Sequence, residues 1–163
     1  MSIKSLLLDY VNYNHWANKC IADLLLKLEP PLLDKEIKSS FPTLRKTVHH
    51  IWDAELAWTA RLKQESVNWP PTQYFKNPAI DEFINTSANF VECIASKDET
   101  FINGSTTYKN SKGETFTSPN AGIIMHCMNH STFHRGQLIT MVRELGIVDL
   151  PPTDMIVFLR QQK

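Results

Sequence analysis

Apolar residues recur at every third or fourth position through four long segments of this 163-residue chain. That spacing places them along one side of an α-helix, as in helices that pack around a shared core. The predicted helices run from Ile3 to Leu28, from Pro42 or Thr43 to about Glu65, from about Ala79 to Ser96, and from Pro119 to about Leu145. The sequence therefore predicts an all-α fold built as a four-helix bundle.

Residues that favour helix ends support these boundaries. Pro30 and Pro31 stop the first helix, because proline lacks the N–H that a helix interior requires. Ser118 is predicted to cap the start of the fourth helix, with Pro119 in its first turn, and Gly146 to end it.

Two shorter elements complete the predicted fold. Between Ser105 and Ser118, threonine and aromatic residues flank the turn-forming sequence Asn110–Gly113, which predicts a short β-hairpin before the last long helix. A small helical segment is expected from Thr153 to Arg160. Since no linker, repeat or low-complexity tract interrupts the chain, residues 1–163 are predicted to form one domain.

Composition excludes several classes of function. Seventeen acidic residues balance 17 basic ones with no long block of either sign, which argues against a nucleic-acid-binding protein. The apolar runs are too short to span a bilayer, and Asp9 interrupts the first of them, so neither a membrane span nor a secretory signal is predicted. A cytoplasmic protein is the expectation. Three widely spaced cysteines, with no CxxC pair, predict neither a disulfide framework nor a thiolate zinc site.

Three histidines lie four residues apart in the predicted fourth helix, within the sequence HCMNHSTFHRGQ that runs from His126 to Gln137. Side chains at i and i+4 share one helix face, so an adjacent pair of imidazoles can reach one metal ion. His126 and His134 are about 12 Å apart along the helix, too far for all three to bind the same ion. We choose His130 and His134 as the pair, because Gly136 beside them permits close approach, and leave His126 as a candidate pocket residue.

The third ligand is less well determined by spacing. His49 and His50 both lie in the second helix, about 100° apart, so only one can point towards the pair. Their neighbours do not decide between them. Cys127 is an alternative ligand near the same stripe, although a buried cysteine is more often a packing residue.

The chain resembles the DinB family, part of the DinB/YfiT-like superfamily. Three sequences carry the likeness: YNHWAN from Tyr13 to Asn18, HHIWDAE from His49 to Glu55 with Trp58 after it, and the stretch from His126 to Gln137. The likeness extends over nearly the whole chain. Members of this family are four-helix bundles that hold a divalent metal with three histidines, one from the second helix and two from the fourth. The resemblance therefore implies His50, His130 and His134 as ligands.

The resemblance also implies a range of functions. Three neutral imidazoles with open coordination positions suit a catalytic ion, because a structural zinc is normally closed by four protein ligands. Zinc or nickel is the favoured metal, with iron, manganese or copper as alternatives. The first hypothesis is a transferase or hydrolase acting on a small-molecule substrate, with a low-molecular-weight thiol as a further cofactor; a homodimer is expected. The alternatives are a non-catalytic, metal-stabilised bundle in stress response or binding, and a metal-free helical module.

Several other residues are candidates for roles around the ion. Gln137, at i+3 from His134, could orient that ring, and His15 could face the cavity from the first helix. Glu55 is about 140° from His50 around the helix, so a solvated charge or the partner of an arginine is favoured over a role as general base. Arg135 is expected to form a salt bridge to another helix. No catalytic residue is assigned from the sequence.

Overall fold

The computed structural model describes residues 2–75 and 79–162. In chain order the described residues form α1 (Ile3–Leu25), α2 (Pro30–Leu33), α3 (Leu44–Leu62), a 3₁₀ turn (Pro71–Tyr74), α4 (Ile80–Ala95), α5 (Glu99–Asn103), β1 (Ser105–Lys109), β2 (Thr115–Pro119), α6 (Asn120–Glu144) and α7 (Met155–Gln161). The long helices α1, α3, α4 and α6 form a closed ring, in which α1 and α3 each pack against both α4 and α6. The predicted all-α four-helix bundle is confirmed. Among the described residues, no helix has both the length and the apolar character needed to cross a membrane.

The helix ends show where local sequence signals hold and where they fail. Thr43 caps α3, because its hydroxyl accepts a hydrogen bond from the backbone N–H of Lys46. Gly146, with φ of 85°, lies just past the end of α6, as predicted. The predicted cap at Ser118 is wrong: this residue pairs with Thr106 in the hairpin, so its backbone belongs to the strand ladder and α6 begins only at Asn120.

The predicted hairpin before the last long helix is confirmed. Strands β1 and β2 are antiparallel, and Asn110 organises the turn between them by accepting hydrogen bonds from the backbone of Lys112 and Glu114. Helix α5 was not predicted, since five residues are too few to show a helical period. Its N-terminus is capped by the Asp98 side chain. Helix α7 begins two residues later than the predicted tail segment.

Two large apolar clusters with a polar layer between them make up most of the bundle core, and a third, smaller cluster lies where α7 packs on α1. One cluster includes Leu25, Trp52, Phe83 and Leu138, and the other includes Leu7, Phe90, Ile94, Ile124 and Met128. At intermediate positions along all four long helices the buried residues are polar: Asn14, Asn18, Glu55, Ser87, Ser131 and Arg135. The bundle therefore carries a buried hydrogen-bonding layer near its middle, at the level of the histidines on α6.

Candidate metal centre

Three histidine side chains from α3 and α6 meet on one side of the bundle. One ring nitrogen from each of His50, His130 and His134 lies within 4.8 Å of the other two. The Nε2 atoms of His50 and His130 are 2.9 Å apart. Nitrogen atoms that each lie about 2 Å from one ion are separated by about 3 Å, so this spacing is compatible with a shared ion. These three rings could hold a metal.

All three rings are held in the neutral form at pH 7. Burial and the adjacent His134 ring lower the pKa of His50 to about 4. Burial and the neighbouring imidazoles lower the pKa of His130 to about 3, and burial also lowers the pKa of His134. A neutral imidazole has one unprotonated nitrogen, which is the atom that binds a divalent cation. Three such donors, without a thiolate, fit a divalent first-row transition ion.

A hydrogen bond to Gln137 orients His134. The Nδ1 atom of His134 lies 2.7 Å from Oε1 of Gln137, and an amide oxygen only accepts, so Nδ1 carries the proton and Nε2 retains its lone pair. The Gln137 amide nitrogen donates in turn to Oγ of Ser40 at 3.0 Å, so the amide is held at both ends. The structure thus brings Gln137 to His134, as the i+3 spacing predicts.

Aromatic rings surround the three histidines. Phe41 stacks on His50 with centroids 4.2 Å apart, and Trp69 meets the same ring edge-on at 6.2 Å. Phe133 lies 5.0 Å from His134. Phe133 and Trp69 are 62% and 41% exposed, so apolar rings form part of the outer edge of the cluster. Phe41 and Trp69 are not predicted as site residues by the sequence, because both lie in segments between helices where periodicity carries no information.

Two other histidines lie close to the cluster without joining it. His49 points the other way around α3 and packs against the ring of Trp52 at 5.7 Å. Of the two histidines that the sequence left open, His50 is therefore the one at the cluster. His126 is exposed, one turn from His130 on α6, with ring centroids 6.2 Å apart, and its own ring packs on Trp58 at 5.3 Å.

The remaining candidates lie elsewhere. His15 lines a separate groove near Trp16 and Phe158, at the packing of α7 on α1, and does not face the three histidines. Cys127 is fully buried in an apolar cluster, where burial raises the pKa of its thiol well above the usual value. It is not among the residues whose donor atoms converge at the centre.

Glu55 is completely buried, so of the two expectations, a solvated charge is wrong, whereas the partnership with an arginine exists in indirect form, through two asparagines that bond to Arg135. Its Oε1 accepts hydrogen bonds from the side-chain amides of Asn14 and Asn18, each at 2.7 Å. Burial raises the pKa of this carboxyl, and the two amides act in the opposite direction. The distance of Glu55 from His50 around α3 suggests a carboxylate that faces water. In the structure that side of the helix faces two amides on α1 instead.

Arg135 is also buried, and the predicted salt bridge to another helix is wrong: among the described residues its guanidinium bonds to amide and hydroxyl oxygens and to no carboxylate. Its Nη1 donates to the amide oxygens of Asn14 at 2.5 Å and of Asn18 at 2.8 Å, while Nη2 donates to Thr132. Each asparagine thus accepts from Arg135 with its oxygen and donates to Glu55 with its nitrogen. The two amides thus link Glu55 to Arg135, while the second carboxyl oxygen of Glu55, Oε2, is buried without a hydrogen-bond partner among the described residues.

Comparison with known proteins agrees with this architecture. The model of the DinB family matches residues 1–163. The chain is 24% identical over 161 residues to Protein DinB of Bacillus subtilis (strain 168), and the alignment covers 93% of this chain and 92% of that protein. The crystal structure of a DinB-like protein, YjoA, from Bacillus subtilis matches with a TM-score of 0.61 at 18% identity, covering 93% of this chain and 96% of that one. The structural match bears on the fold.

Proposed function

The chain belongs to the DinB family, and on that premise we propose that it is a metal-dependent enzyme acting on a small molecule. In this proposal His50, His130 and His134 are the ligands of one divalent ion. The observation that supports it most directly is the convergence of three neutral ring nitrogens within 4.8 Å. Zinc or nickel is the expected metal, and iron, manganese or copper would also suit imidazole donors.

The proposed reaction is a transfer or hydrolysis in which a low-molecular-weight thiol or water is the nucleophile. An ion with three imidazole ligands supplies Lewis acidity, which lowers the pKa of a thiol or water that reaches its open positions. The side chains around the ion have separate tasks. Gln137 holds the His134 ring in one orientation and one tautomer. Phe41 and Trp69 cover His50 with apolar surface, which limits access of competing water.

Metal content tests the ligand assignment. Protein purified without an affinity tag should contain about one equivalent of a divalent metal by elemental analysis, and His130→Ala should lose it. His126→Ala is the matched control, because it removes an exposed imidazole one turn away on the same helix. Full metal content in His130→Ala, or equal loss in His126→Ala, would contradict the proposed site.

Turnover is tested separately. Metal-loaded protein is assayed with small electrophiles in the presence of several cellular thiols, and again with water alone. A product whose formation needs both the metal and one particular thiol would identify a thiol-dependent transferase. A product that forms with the metal and water alone would identify a hydrolase.

A second candidate function is a metal-stabilised bundle without turnover, in stress response or binding. It is favoured by one observation: His50 belongs to α3 whereas His130 and His134 belong to α6, so an ion shared by them would cross-link two helices. In this case chelation should lower the melting temperature strongly, and no thiol or electrophile should be consumed. The homodimer expected from the sequence stays a prediction, and sedimentation of the metal-loaded protein tests it.

A further inference from the structure

The guanidinium of Arg61 packs beside two aromatic rings at the end of α3. Its central carbon lies 4.4 Å from the ring centroid of Trp58 and 5.3 Å from that of Tyr108 on the hairpin, distances typical of cation–π contacts. The two rings also contact each other, with centroids 5.1 Å apart, so both lie on the same side of the guanidinium. The N–H donors of the group point outward in its plane, where a carboxylate or phosphate can accept from them.

Arg61 has no acidic partner in the part of the chain that the structure describes. Its Nε atom is buried without a hydrogen-bond partner, and no carboxylate oxygen among the described residues lies within ion-pair distance of it. Burial lowers the pKa of the guanidinium, as expected for a cation that lacks a neighbouring anion. A partly buried arginine without a partner is a costly arrangement that an oxyanion would relieve.

An open depression of about 320 Å³ lies beside this guanidinium, between the end of α3 and β1. Lys109 and Thr107 of the hairpin line it together with Gln64 and Glu65, so a second basic residue and one acidic residue lie at its edge. The Thr107 hydroxyl is hydrogen-bonded to that of Thr117. The volume is sufficient for a carboxylate or phosphate group and the atoms that carry it.

A row of rings in contact runs from Arg61 towards the histidine cluster. Trp58 contacts Arg61 on one side and His126 on the other, and the His126 ring is followed by that of His130. Arg61 and His50 are eleven residues apart on α3, which places them within about 20° around the helix axis and about 16 Å apart along it. Both therefore lie along the same side of the bundle.

We propose that Arg61 binds the oxyanion group of the substrate, a carboxylate or a phosphate, while the reacting end of the same small molecule lies at the three histidines. This inference rests on the proposed function and adds the substrate class: an elongated, anionic small molecule rather than a neutral one. Trp58 and His126 would contact its middle. An alternative role for Arg61 is to complement the negative end of α3, since it lies in the last turn of that helix. That interaction does not require the N–H donors of the guanidinium to stay without partners.

The test uses probe anions and requires no enzymatic activity. The full-length protein, labelled with ¹⁵N, is titrated with inorganic phosphate or, separately, with succinate, while sodium chloride keeps the ionic strength constant. The Nε–H signal of Arg61 and the indole N–H signal of Trp58 should shift and saturate. Arg61→Gln should weaken binding by about tenfold or more, because it removes hydrogen bonds to a charged group. Arg45→Gln is the matched control, since Arg45 already pairs with Asp34.

Every result of this titration either supports or contradicts anion binding by Arg61. Absence of saturable shifts in the wild-type protein, or equal affinity in Arg61→Gln, would mean that the guanidinium serves only cation–π packing. Should Arg61→Gln fail to fold, Arg61→Lys retains the charge without the planar fork, and it should bind both anions more weakly than wild type; unchanged affinity would overturn the proposal. The preferred anion of the two distinguishes carboxylate from phosphate recognition. Metal content should be unchanged in Arg61→Gln and anion binding unchanged in His130→Ala, so this inference and the proposed function can fail independently.

Discussion

Asn18→Ala should destabilise the bundle strongly, because this one amide serves three buried groups. Its nitrogen donates to Glu55 Oε1 at 2.7 Å and to Ser87 Oγ at 3.1 Å, and its oxygen accepts from Arg135 Nη1 at 2.8 Å. Alanine would leave a buried carboxylate and a buried guanidinium each with one partner fewer, at a site from which water is excluded.

The expected magnitude follows from those contacts. A hydrogen bond to a buried charged group contributes about 1.5–3 kcal/mol, and two such bonds are lost. Because Asn14 still connects Glu55 to Arg135, the loss should lie at the lower end of the sum for two such bonds. The free energy of unfolding should therefore fall by about 3–4 kcal/mol. Removing Asn14 as well should cost more than the sum of the two single changes, because Glu55 and Arg135 would then lose both of their amide partners.

Urea unfolding in the presence of a chelator measures this difference without a contribution from bound metal. Asn12→Ala is the control on the same helix: its exposed amide bonds only to the carbonyl of Leu8, and its replacement should change stability by about 0.5 kcal/mol or less. A loss below about 1 kcal/mol in Asn18→Ala, with an unchanged m-value, would refute the argument that this layer is a tightly coupled buried network.

Two further predictions concern the histidine cluster. Gln137→Leu should weaken metal affinity by about 10- to 100-fold, since His134 loses the acceptor that orients it, whereas Gln137→Glu should retain affinity. Competition with a chromogenic chelator measures both affinities. Equal affinities in the two variants would contradict the proposal that Gln137 orients His134. The metal-free protein should lose stability as pH falls below about 6.5. In the unfolded chain His50 and His130 bind protons from about that pH, whereas in the folded state their pKa values are about 4 and about 3, so acid favours the unfolded state. Melting temperatures across this range should fall less steeply in His50→Phe, and an unchanged slope would show that other groups control the acid transition.

The helices and part of the site could be predicted from sequence because both depend on spacing within one helix. Apolar periodicity located all four long helices, and the i, i+4 relation of His130 and His134 required no knowledge of the neighbouring helices. The choice between His49 and His50 required the rotation of α3, which spacing within that helix does not determine when apolar residues flank both. The resemblance to a family implied His50, and in the structure the ring of His50 is the one at the cluster.

Contacts from connecting segments could not be predicted in this way. Phe41 and Trp69 contact His50, and Ser40 contacts Gln137, from segments that flank α3. Their positions depend on how the chain folds back between helices. The buried charges had a weak signal: Asn14 and Asn18 lie four residues apart on the otherwise apolar face of α1. Two amides on a core-facing stripe indicate a polar layer that must find partners on the facing helices.

The polar layer and the histidine cluster depend on the same two turns of α6. Ser131 and Arg135 each follow a cluster histidine by one residue, so they are rotated by about 100° from it and face the interior while His130 and His134 face α3. An apolar core can tolerate a small rotation or slide of one helix. In this bundle the same movement of α6 would break the hydrogen bonds of Arg135 with Asn14 and Asn18. An apolar replacement of such a layer is often at least as stable, so stability alone does not explain a buried Glu and a buried Arg here. Fixing the rotation of α6, and with it the direction of both histidines, does explain them.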